Sequence, residues 1–142
     1  MVMVSLSAEN KARVIQFYEI INKATYDLLD QVLDQNIVWH DLLLPGGEVQ
    51  GIENFKKVLK MFRSAFPDLR IKLDDQIVEG DKVATRFVIQ GTHKGDLMEI
   101  RATGKPIRVT GISIIRFANG KAVEEWIEED SLGLMHQLGV LH

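Results

Sequence analysis

The sequence predicts an α+β fold, in which helices gather at the mouth of a strongly curved antiparallel sheet and enclose a pocket. Three features carry this expectation. Apolar residues recur mainly at helical spacing as far as Pro67, alternating β-forming segments then take over, and a short helix follows the last of them.

Ser7 is placed as an N-cap, with Glu9 complementing the helix dipole, and Val14, Phe17, Tyr18 and Ile21 form one apolar stripe. Leu28, Leu29, Val32 and Leu33 suggest a second, shorter helix, its start capped by Thr25 or Asp27. The run from Ile37 to Leu43 is rich in β-formers and stops at Pro45-Gly46-Gly47, which reads as a short strand. Between Gly51 and Pro67, the residues Phe55, Val58, Leu59, Phe62 and Phe66 make the buried stripe of the clearest helix. Pro67 ends it, because proline lacks the amide donor and clashes with the preceding turn.

Leu69, Ile71 and Leu73 then alternate with polar residues, Glu79-Gly80-Asp81 reads as a turn, and Val83 to Thr92 returns as a partner strand. His93 to Pro106, with two glycines and mixed charge, reads as a loop or an irregular strand end. Ile107 to Phe117 and Ala122 to Glu129 flank Asn119-Gly120, a strong two-residue hairpin signal. Ser131 to Leu138 reads as a helix that ends at Gly139.

At 142 residues the chain has the length of one domain, 1–142. Its 46% hydrophobic and 26% charged residues match a soluble globular protein. A net charge of −3 without a Lys/Arg-rich stretch argues against nucleic acid as a partner, since phosphate neutralisation draws on a basic face. The absence of cysteine excludes disulfides, thiolate nucleophiles and thiolate-held metals. Met1 to Asn10 lacks a basic n-region and a long apolar run, so no signal peptide is expected. No apolar segment approaches bilayer length, so no membrane partner and a cytoplasmic location are expected.

Several segments carry a family likeness: Ala65-Phe66-Pro67-Asp68-Leu69, Val78-Glu79-Gly80-Asp81-Lys82-Val83, Gly91-Thr92-His93 and Thr103-Gly104-Lys105-Pro106. The ending, from Glu125-Trp126 through Asp130-Ser131-Leu132-Gly133-Leu134 to Gln137-Leu138-Gly139, belongs with them. From about Lys11 onward the chain resembles the SnoaL-like polyketide cyclase and ester cyclase group of the NTF2-like superfamily. The resemblance implies an NTF2-like cone around one pocket for an apolar small molecule, a homodimer, and chemistry without a metal or cofactor. In the polyketide cyclases of this group a late-strand aspartate serves as acid and base in an intramolecular aldol ring closure, and the matching position is Asp130. The fold also carries isomerases, hydrolases and noncatalytic binders, so the likeness bears on fold more than on reaction.

With Asn119-Gly120 as a two-residue loop, Ser113 faces Trp126, Gly111 faces Glu128 and Val109 faces Asp130, all on one face of the sheet. That face, with small residues, a tryptophan and carboxylates, suits a pocket. The other, with Arg108, Thr110, Ile112, Ile114 and Arg116 beside Val123, Glu125, Ile127 and Glu129, suits a subunit contact. One extra residue would exchange the two faces.

Asp130 is the leading catalytic candidate, because a desolvated carboxylate beside a carbonyl compound can remove an α proton. It equally fits the N-cap of the helix beginning at Ser131. His93 and His40 are candidates for polarising a carbonyl, and each also fits a partly buried histidine with a backbone partner. His40 and Asp41 are neighbours on a strand and point to opposite faces, so they form no dyad. His136 and His142 read as incidental, and the four histidines have no metal-ligand spacing. Tyr18, Trp39, Phe62, Ser113, Trp126 and Glu128 are the candidate substrate contacts, although Phe62 fits ordinary core packing better.

These observations lead to three expectations: a cofactor-free cyclase or isomerase, a noncatalytic binder of an apolar metabolite, or an epoxide-hydrolase-like enzyme. The last would need an arginine, Arg86 or Arg108, beside two aspartates.

Overall fold

The computed structural model describes residues 5–141; Met1–Val4, within the stretch read above for a signal peptide, and His142 lie outside the described residues. Helix α1, Leu6–Lys23, is capped by Ser5 rather than Ser7: the Ser5 hydroxyl accepts from the Ala8 amide at 3.1 Å. The expected second helix is a single 3₁₀ segment, Tyr26–Gln31, and Leu33 already belongs to strand β1, Leu33–Asp41. A short edge strand β2, Glu48–Gln50, leads into α2, Ile52–Ala65. Strands β3, Arg70–Glu79, β4, Lys82–Thr92, β5, Pro106–Ala118, and β6, Lys121–Glu129, then follow in turn, and α3, Ser131–Leu138, closes the order.

The six strands form one sheet in the order β2-β1-β6-β5-β4-β3. Every neighbouring pair is antiparallel except β1 and β6, which run parallel. β1 lies along the hairpin's outer edge, paired with β6. Helices α1 and α2 lie across one sheet face, burying Val14, Phe17, Ile21, Ile52, Phe55 and Leu59 against it. Polar ties fix their position. The Asn22 side chain bonds both the amide and the carbonyl of Ile71, at 2.7 and 2.8 Å, and so attaches α1 to β3. The Arg63 guanidinium donates to the carbonyls of Ile21 and Leu69 at 2.6 and 2.8 Å, joining α1, α2 and the start of β3. A second apolar cluster, built on Phe66, Leu97, Ile107, Leu134 and Leu138, sits under α3 at the sheet's end.

The β5–β6 hairpin corrects the expected register. Asn119 and Gly120 take positive φ, 51° and 78°, as the two-residue turn requires, and Phe117 pairs with Ala122. The next pair is Arg116 with Glu124, so Val123 is an extra residue on β6. A bulge of one residue turns every later side chain of that strand to the opposite face. Ser113 therefore faces Ile127, and Gly111 faces Glu129. Glu125, Ile127 and Glu129 turn inward, while Trp126 and Glu128 lie on the outer face.

Candidate functional site

The inner face of the sheet, α1, α2 and α3 enclose a cavity of about 100 Å³ where the two apolar clusters meet. Its wall is almost wholly hydrocarbon and aromatic, with three exceptions that carry acid: Asp41, Glu125 and Glu129. Among the described residues, no lysine, arginine or histidine lines it.

Asp41 arrives from β1, whose inward residues Ile37, Trp39 and Asp41 are all buried. The Leu43 amide donates to its carboxylate at 2.9 Å, where the strand turns away. Glu125 and Glu129 arrive from β6 through the bulge, one turn of the strand pleat on either side of Ile127. The Asp41 and Glu129 carboxyls lie close enough to share a proton. Burial, the charge of Asp41 and the shared proton push Glu129 to about 9, so it carries the proton of the pair at neutral pH. Burial also raises Asp41, but the bonds from Glu129 and the Leu43 amide oppose the rise. Asp41 is thus the ionised partner and Glu129 the acid.

Glu125 is 4% exposed. Burial and the charge of Asp41 push it to about 8, against a hydrogen bond from Ser113. Ser113 bonds in turn to the Tyr18 hydroxyl at 3.0 Å. Burial, with the nearby Glu125, holds that phenol well above 10.0 and therefore protonated. Among the described residues, three polar atoms on cavity-lining side chains have no hydrogen-bond partner: Glu125 Oε2, Glu129 Oε1 and the Trp39 indole Nε1. Buried polar groups rarely go unpaired, so three on one void mark where a ligand's polar groups would fit.

Of the residues singled out in the sequence, Tyr18, Trp39 and Phe62 line the cavity, and Ser113 is buried behind its wall. The others lie elsewhere. Trp126 stacks on His40 on the outer face, with ring centroids 5.6 Å apart, and Glu128 is exposed. His40 points outward, as its adjacency to Asp41 requires, and its Nε2 is 2.8 Å from Glu124 Oε2. Arg116 holds the other oxygen of Glu124 at 3.1 Å. His93 is fully buried beside Phe66, and its Nδ1 accepts from the Thr103 amide at 3.2 Å. That bond leaves the proton on Nε2, which is buried without a partner but outside the cavity wall. Asp130 is exposed and caps α3, accepting from the Gly133 amide at 2.9 Å. A Cβ on Gly133 would lie 2.1 Å from Asp130 Oδ2, so a larger residue there would make the capping carboxylate shift. Arg86 and Arg108 are exposed on the outer face, Arg86 at 3.5 Å from Asp74, so no arginine stands beside two aspartates in the cavity.

A family model described as SnoaL-like polyketide cyclase matches residues 12–138. The chain belongs to that family. Comparison with curated proteins finds no match. Among solved structures, TsrD from Streptomyces laurentii is 29% identical with a TM-score of 0.85, the alignment covering 98% of this chain and 100% of that one. IdmH from Streptomyces antibioticus is also 29% identical, with a TM-score of 0.80 over 92% of this chain and 98% of its own. A SnoaL-like polyketide cyclase from Agrobacterium tumefaciens, 19% identical with a TM-score of 0.78 over 92% and 98% of the two chains, shares the fold. The α+β cone is thus that of the SnoaL-like, NTF2-like proteins. No helix among the described residues is long and apolar enough to cross a membrane, and these residues contain no cluster of metal-ligating side chains.

Asp41, Glu125 and Glu129 escaped the sequence reading. The bulge at Val123 carries no local signal. Asp41 did have one, since it shares strand parity with Ile37 and Trp39, two residues destined for the core.

Proposed function

We propose that this SnoaL-like protein binds a carbonyl-containing small molecule in the cavity and enolises it, as a cyclase or isomerase that needs no cofactor. The observation that carries this reading is the Asp41–Glu129 carboxyl pair set in a hydrocarbon wall. Asp41, ionised and poorly solvated, takes the proton from the carbon next to the carbonyl. Glu129, protonated, turns its single O–H from Asp41 to the carbonyl oxygen as charge develops there, which frees Asp41 to act as base, and the unpaired Trp39 N–H offers a second donor. Donors aimed at a developing oxyanion in a dry site contribute on the order of 3–4 kcal/mol each. In an aldol ring closure the enol carbon then attacks a second carbonyl of the same molecule, and the proton held on Asp41 passes to the new alkoxide. Isomerisation returns that proton to a different carbon.

The test is deuterium exchange at carbon, followed by NMR, for a panel of β-keto esters and cyclic enones. Asp41→Asn and Glu129→Gln are expected to slow exchange by about 10²–10⁴-fold, the usual contribution of a positioned acid or base. Asp130→Asn, the family-derived alternative, is expected to leave it unchanged. Loss of exchange in Asp130→Asn alone would move the base to α3's cap and overturn this assignment. Tight binding with no exchange of any compound would favour a noncatalytic binding protein instead. A homodimer is proposed as well, through the outer sheet face, where Ile112 and Ile114 are 51% and 39% exposed beside Trp126. A monomeric mass by light scattering at high concentration would refute it.

A further inference from the structure

Proton transfer through Asp41 and Glu129 leaves Glu125 without a task. It is a buried carboxyl, with one oxygen unpaired, on a wall to which the described residues bring no basic side chain. Its surroundings are aromatic. Trp39 is its ladder neighbour on β1, and Tyr18 reaches it through Ser113. Trp39 packs on Phe55 at 4.4 Å between ring centroids, Phe55 on Phe17 at 5.9 Å, and Phe17 on Tyr18 at 5.1 Å. An acid within a ring of aromatic faces is the combination that receives an organic cation, because the ring quadrupoles and the carboxylate attract it together.

We infer that the cavity is built for a carbonyl compound that also bears a cationic nitrogen, an amine or quaternary ammonium, seated between Glu125 and the rings of Phe17, Tyr18, Trp39 and Phe55. The inference rests on the reading of a carbonyl ligand in this cavity and names its chemical class. The cation makes the site self-consistent: it recruits the ionised form of Glu125, which burial otherwise disfavours, and replaces water as its partner. Binding should therefore release a proton at neutral pH and strengthen as pH rises from 6 to 8.

At about 100 Å³ the cavity is smaller than the apolar void of about 150 Å³ that holds benzene, so it takes no more than one ring and must widen to admit a substituted one. The probes are N,N-dimethyl-4-oxopiperidinium, whose charge is permanent, and 4,4-dimethylcyclohexanone, its uncharged counterpart of the same shape. Calorimetric titration of the whole chain at pH 7, in two buffers of different ionisation enthalpy, reads affinity and proton release together. The cation is expected to bind about tenfold or more tightly than the neutral ketone, releasing close to one proton. In Glu125→Gln the preference is expected to fall to about one while the neutral ketone's affinity is retained, which also reports that the variant is folded. Equal or weaker binding of the cation, a preference that survives Glu125→Gln, or no binding of either probe would overturn the inference. Deuterium exchange in the same samples separates the two readings. Exchange of the neutral ketone without cation preference removes the cation and keeps the enolisation. Cation preference without exchange of either compound does the reverse.

Discussion

Replacing Glu129 by glutamine should stabilise the protein while disabling it. A carboxyl raised by burial binds its proton more tightly in the folded state than in the unfolded one. Below its ordinary value of 4.5 both states are protonated and the group contributes nothing to the pH dependence. As pH rises above 4.5 the unfolded chain ionises while the folded chain keeps its proton. Stability therefore falls steadily, by about 1.4 kcal/mol per pH unit for each such group, until the folded group itself ionises. That limit is about 9 for Glu129 and about 8 for Glu125. At pH 7 the penalty is about 3 kcal/mol for one of them, a sizeable part of a normal folding free energy. Asp68 and Glu124, whose carboxyls are held below their ordinary values by hydrogen bonds from Thr92 and from His40 and Arg116, act in the opposite sense. Their contribution is present above the ordinary carboxylate range and is lost only as pH falls below it, which leaves pH 5 to 7 to the buried acids.

The assay is urea unfolding of wild type, Glu129→Gln and Glu125→Gln at intervals between pH 5 and 8. Wild type should gain stability on acidification from pH 7 to 5.5. Glu129→Gln should be more stable than wild type at pH 7 by about 1–3 kcal/mol, after allowance for the altered bond to Asp41, with a flatter profile. Wild type losing stability over that interval, together with a destabilised Glu129→Gln, would refute the reasoning, because it would mean that the carboxyl is ionised and held by a partner.

Trp39→Phe keeps the aromatic wall and removes the unpaired N–H, so α-carbon exchange should slow by about 10²-fold with ligand affinity little changed, as steady-state and binding measurements would report. Asp130→Ala should cost about 1 kcal/mol of stability through loss of the α3 cap, read by thermal unfolding, with exchange activity retained. Gly111→Ala should destabilise by about 1–3 kcal/mol, because its new Cβ would lie 2.6 Å from the Phe87 ring and 2.9 Å from the Glu128 carbonyl; chemical unfolding measures it. Tyr18→Phe frees Ser113 to bond Glu125 alone, and the proton release that accompanies cation binding should diminish in calorimetry as Glu125 ionises more readily.

Most of the secondary structure is local in origin, which is why it was legible in the chain. The apolar stripe through Phe55 and Leu59, the proline at 67, the alternation after Leu69 and the Asn119-Gly120 turn each act within a few residues. The family likeness reached further and gave the cone. Where local signals conflicted with packing, packing prevailed: Leu33, read as the end of a helix, is instead the first residue of β1, buried and paired with Ala122. The site was only half legible. Tyr18, Trp39 and Phe62 could be proposed as wall residues from size and polar handles, but the acids could not be placed. Their placement depends on one residue, Val123, which bulges out of the ladder and turns Glu125 and Glu129 inward. It also depends on β1 lying parallel to β6, which brings Asp41 beside them. Residue type, periodicity and turn chemistry are properties of neighbours in sequence and so were determined by the sequence alone. The register of a bulged strand, and the burial that keeps a carboxyl protonated, depend on partners far along the chain, and only the tertiary structure decided them.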